Sequence, residues 1–158
     1  MANTQSMCTS FLGELMTATH NFGTAPTRAT SAADTFKAAL YLTSATVNAS
    51  TTAYSATGEV TGTNYSPGGT TVTNATPPAS TNSSSTAGVG YWTPSASITY
   101  TNVTLSTAFD SVLIYNSTQS DKAVSVHTFG SQTITAGNFT LTMPSNTTTT
   151  ALLRLSTT

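Results

Sequence analysis

Charged side chains are scarce in this sequence: they make up 6% of its 158 residues, against about 25% in an ordinary soluble domain. The four basic residues, Arg28, Lys37, Lys122 and Arg154, lie far apart. Nucleic-acid binding needs clustered cations that displace counterions from phosphates, so no nucleic-acid partner is expected. No run of like charge marks a polar tail or a basic membrane patch. Cys8 is the sole cysteine, which excludes an internal disulfide and a cysteine metal cluster and leaves a small buried hydrophobe on a helix. No stretch of about 18 apolar residues exists to cross a membrane as a helix. The first positive charge is Arg28, so the opening segment lacks the basic start of a secretion signal, and synthesis in a cytoplasm without export is expected.

What the chain has instead is hydroxyl. Serine and threonine supply 59 residues, 21 and 38 respectively. Disordered chains usually combine low hydrophobicity with high charge, whereas here 37% of residues are apolar. Threonine is β-branched and suits a pleated, half-buried surface. A folded, β-rich protein follows. Its net charge of −1 gives copies little mutual repulsion, which favours life in an assembly.

The pattern predicts one helix, over residues 4–20, where Met7, Phe11 and Leu15 recur at i, i+4, i+8 beside Cys8, Leu12 and Met16. Thr4 is the expected N-cap and Gly23 the stop, while Gly13 weakens the helix by about 1 kcal/mol, so packing must hold it. "TFKAALYLT" then alternates, with Phe36, Ala38, Leu40 and Leu42 on the face expected to enter the core. "GEVTG" and "TTVTN" read as short strands around the turn "YSPGG", and residues 76–90 as an exposed loop ending at Tyr91 and Trp92. Six further short strands are expected at 96–105, 111–116, 123–129, 132–135, 139–143 and 151–155, joined by turns. The architecture expected is mainly β: an antiparallel β-sandwich, jelly-roll-like, with one N-terminal α-helix. Residues 1–24 would form a helical arm and 25–158 the sandwich domain.

Chemistry is hard to find. The nucleophile elbow, the Walker loop and the zinc helix are all missing, and "GVGYWT" lacks the third glycine of a dinucleotide fingerprint. His127 could join Asp110 and one of many serines, but that abundance empties the proposal. Val124, Val126 and Thr128 share one strand face and His127 the other, so the bland role is a sheet histidine bonded to a hydroxyl or half exposed at an interface. Asp110 and Asp121 read as turn residues. Tyr41, Tyr91, Trp92 and Tyr100 could stack on sugars, though core and subunit contacts are the commoner use. No enzyme activity, cofactor, metal or catalytic residue is expected.

Four stretches, "MANTQSMCTSFLGELMTATHNFG", "DTFKAALYLTSATVNASTTAY", "GEVTGTNYSPGG" and "SVLIYNSTQSDKAVSVHTFGSQTITAGNFTLTMP", resemble small structural proteins encoded among the morphogenesis genes of tailed bacteriophages. The resemblance implies a virion protein, and capsid cement or decoration proteins are small β-rich folds that oligomerise across gaps between capsomers. The expected role is therefore head decoration, at the capsid surface, with the major capsid protein and further copies of the chain as partners. Trimers are the expected form, by analogy with three-fold gaps in capsids. Met7, Phe11, Leu15, Tyr91 and Trp92 are the candidate assembly contacts. The rival is a tail-associated or receptor- or glycan-binding module using Tyr91, Trp92 and the long loop.

Overall fold

The computed structural model describes residues 3–16, 18–22, 33–81 and 88–156. Gly23, Arg28, residues 82–87 of the expected loop and the side chains of Leu12, Gly13 and Met16 lie outside the described part. In chain order the elements are β1 (Ser6–Met7), α1 (Thr9–Met16), β2 (Phe36–Leu42), β3 (Thr70–Thr71), β4 (Ala79–Ser80), β5 (Val89–Trp92), β6 (Ile98–Asn116), β7 (Lys122–Leu141) and β8 (Leu153–Ser156). They form a five-stranded sheet, β1-β7-β6-β2-β3, and a three-stranded sheet, β4-β5-β8. Every pairing is antiparallel.

Two elements dominate. β6 and β7, 19 and 20 residues long, pair from Asn116↔Lys122 at the turn to Ile98↔Leu141 at the far end. The five short strands expected between residues 96 and 143 are thus one long hairpin. Breaks were expected at 106–110, 130–131 and 136–138, but the ladder absorbs the misfit as register shifts, with Asn102 and Ala136 at φ of 51° and 46°. A bulge lets one residue leave the pleat without ending the pairing. Asp110 is accordingly a strand residue, not a turn residue, whereas Asp121 does sit in the β6–β7 turn at φ 57°.

β2 lies along β6, Phe36 opposite Asn116 and Leu40 opposite Val112. Ala38 to Tyr41 are all buried, because both faces of this strand are covered. Its other edge is sealed by the 58–72 loop: Val60 N–H donates to Leu40 C=O, Val72 N–H to Phe36 C=O, and Leu40 N–H to the Tyr65 hydroxyl. Covering an edge by a loop removes a template for stray pairing. "TTVTN" contributes only Thr70–Thr71, and "GEVTG" only isolated bridges such as Tyr41↔Glu59. The loop hugs β2 at Gly69, φ +73°, where a Cβ would stand 1.7 Å from the Ala38 carbonyl oxygen.

The long N-terminal helical arm is not seen. Ser6–Met7 is a strand against Ser125–Val126 of β7, and among the described residues Thr9–Met16 alone is helical. Thr4 does not cap it; its N–H donates to Val47 C=O at 3.0 Å. Eight residues are too few for a stable isolated helix, so tertiary contact holds this one. Phe11, 2% exposed, and Cys8, just before the helix, belong to the protein's own core. That core runs from Phe36, Leu40, Val112, Leu113 and Val126 of the large sheet to Trp92 and Leu153 of the small one. Loop 76–90 is likewise partly strand, since β4 pairs Ala79 with Tyr91 of β5.

Candidate assembly surface

The five residues singled out as contacts converge. Met7 from β1, Phe11 and Leu15 from α1, and Tyr91 and Trp92 from β5 line one apolar groove of about 170 Å³, completed by Phe22, β4 and β8. Among the described residues, none that carries a charge lines it. Its floor is aromatic: Phe22 stacks on Phe36 with centroids 4.4 Å apart, Trp92 lies 4.6 Å from Phe22, and Phe11 meets Phe22 edge-on at 5.9 Å. Met7, Leu15 and Tyr91 are half-buried at its rim. Leu155 of β8, 46% exposed, is the large hydrophobic side chain left open to solvent among the described residues, and it lines the same groove.

This geometry separates the aromatic residues. Trp92 is 3% exposed and its indole N–H donates to Thr76 C=O at 3.1 Å, so it presents no ring face to a sugar. Tyr41 and Tyr100 are buried as well, which leaves Tyr91 alone of the four as partly accessible.

Behind the groove lies a polar cluster that sequence reasoning missed. Glu14 of α1 accepts from Lys122 Nζ at 2.8 Å and sits 2.7 Å from His20 Nε2. His20 Nδ1 lies 3.1 Å from Asn116 Nδ2, which also donates to Asp34 Oδ2 at 2.8 Å. His20, Asp34 and Asn116 are all buried. Burial pushes the His20 imidazole below its ordinary value, against the opposing pull of Glu14. Burial also pushes the Glu14 carboxyl up, but the Lys122 and His20 bonds and charges outweigh it and hold it low. Separations of 6 to 108 residues between these partners leave no local sequence signal.

A second cluster surrounds Glu59. Its buried carboxylate accepts from the Tyr54 hydroxyl at 2.6 Å, the Tyr65 hydroxyl at 2.7 Å and the Gly68 N–H at 2.8 Å. Tyr115 donates to Gly68 C=O and Tyr100 to Ala38 C=O. Burial pushes the Tyr41 and Tyr115 phenols up to about 12, and those of Tyr54, Tyr65 and Tyr100 further. With every carboxylate oxygen bonded, the cluster pins the "YSPGG" turn to β2.

His127 keeps the bland role. Its Nε2 lies 2.9 Å from the Ser125 hydroxyl, and burial lowers its pKa to about 4. Asp110 takes no part in a triad with it: its Oδ1 accepts from Asn3 Nδ2 at 2.7 Å. Among the described residues no group of three or more His, Cys, Asp or Glu is placed to hold a metal ion, and no helix is long and apolar enough to cross a membrane. No protein-family model matches the chain, and neither the curated proteins nor the solved structures contain a match to it.

Proposed function

We propose that this chain is a structural subunit of a tailed-phage virion, a head decoration protein whose two sheets pack as a sandwich and whose apolar groove seats a neighbouring subunit. The observation that carries the reading is the convergence of Met7, Phe11, Leu15, Tyr91 and Trp92 on one groove, uncharged among the described residues, beside the exposed Leu155. Contacts made by apolar packing and neutral hydrogen bonds are little weakened by salt, which suits a shell that must survive changing media. Sparse charge and the phage-like stretches support the same reading. The partners are the major capsid protein and sister copies, with a trimer as the expected form.

Copy counting by mass spectrometry on purified particles tests the assignment. Hundreds of copies per particle, released together with loss of shell stability, are the expected result. A few dozen copies confined to the tail, or none, overturns it. Leu155→Asp should abolish incorporation while leaving the isolated protein folded.

A further inference from the structure

The cluster behind the groove is built around one histidine, and its hydrogen-bond polarity is determined by its neighbours. Asn116 Oδ1 accepts from the backbone N–H groups of Thr118 at 3.1 Å and Gln119 at 3.2 Å. That fixes which way the amide faces: Nδ2, a donor, points at His20 Nδ1 and at Asp34. His20 Nδ1 must then be the acceptor, so the ring is the neutral tautomer carrying its proton on Nε2, which donates to Glu14. The His20 side chain is 0% exposed. A second proton would set an Nδ1–H against the Asn116 N–H, in a position closed to bulk solvent.

Among the described residues, the groups facing His20 come from several elements: Glu14 from α1, Asp34 ahead of β2, Asn116 from β6, Lys122 from β7, and the rings of Phe11, Phe22 and Phe36. The chain of contacts from Lys122 through Glu14, His20 and Asn116 to Asp34 therefore ties the N-terminal segment to the hairpin turn and to the start of β2. The same segment carries Phe11 and Leu15, one wall of the groove.

We infer that His20 is an acid-sensitive latch: protonating it releases the N-terminal segment from the sheet and opens the groove wall made by Phe11 and Leu15. The inference stands independently of what occupies the groove. The sign agrees with the electrostatics, since a histidine whose folded pKa is depressed stabilises the closed form above its free value, about 6.5, and loses that contribution as pH falls.

Cys8 supplies the probe. It is buried between β1 and α1, its N–H donates to Val124 C=O, and burial holds its thiol up at about 11. Opening of the segment exposes it. Its rate of reaction with 4,4′-dithiodipyridine, divided by that of glutathione at the same pH, should rise by up to about 30-fold between pH 7.5 and 5. The near-ultraviolet circular dichroism of the tyrosines around Glu59 should stay unchanged over that range. His20→Gln should remove the rise, and His127→Gln, the other histidine, should keep it. If His20→Gln does not fold, nitrogen-15 shifts of the two histidines in the native chain take its place, with His20 expected as the Nε2–H tautomer at pH 7.5. A flat normalised rate, a rise that coincides with loss of the tyrosine signal, a rise that follows His127 instead, or an Nδ1–H tautomer overturns the latch.

Discussion

At the scale of single residues, the structure turns on where a few polar groups are buried. Glu59 is a carboxylate with three donors converging on it, and removing it strands two tyrosine hydroxyls and a backbone N–H. Glu59→Ala should cost about 3 kcal/mol of stability in urea unfolding. Gly69→Ala should be worse, more than about 4 kcal/mol, because a Cβ there collides with the Ala38 carbonyl and the backbone is left-handed. The sequence foretold part of this: "YSPGG" was readable as a turn, and His127 as a sheet histidine bonded to a hydroxyl. It did not foretell Glu59 or His20, because a buried ion or imidazole is specified by partners far along the chain.

At the scale of elements, the same opening segment illustrates both success and failure. Met7 falls in a strand while Phe11 and Leu15 fall on the helix, so the repeat does not run along one helix, yet all three residues line one groove. Ser6–Met7 found an open edge on β7, and strand pairing there ended the helix before it could begin at residue 4. Phe11 anchors what remains. Phe11→Ala should therefore cost about 3–5 kcal/mol, a core truncation, while Leu155→Ala should stay within about 0.5 kcal/mol, both read by urea titration. A helix that served as a detached arm would reverse the first expectation and leave Phe11→Ala nearly neutral. The hairpin teaches a related point. Polar and glycine-containing stretches at 106–110 and 136–138 look like turns in a local window, yet two long partners carry the ladder across them by shifting register at bulges.

At the scale of the whole molecule, stability should form a plateau with two slopes. On the acid side, Glu14, His20 and His127 all have depressed folded pKa values, so their contributions are present at neutral pH and lost as pH falls. His127 alone, titrating between about 6.5 unfolded and about 4 folded, should account for about 2 kcal/mol, less than the full shift because its ring is partly solvated. On the alkaline side, the buried tyrosines have raised values, so their contribution is complete below about 10 and lost above it. Urea midpoints measured across pH should be level between about 7 and 9 and fall on both sides. A midpoint that rose on acidification would contradict the burial of these imidazoles.

Composition and period alone determined that this is a β protein with a real core, scant charge and hydroxyl-rich surfaces, since those properties depend on which residues are present and how they alternate. Only the tertiary structure decided that the five short strands are one hairpin, that the N-terminal segment is packed down and not extended, and that five scattered apolar residues share a groove. Each of those outcomes depends on groups brought together across tens of residues, where a bulge, an edge or a buried histidine takes its meaning from its neighbour and not from its place in the chain.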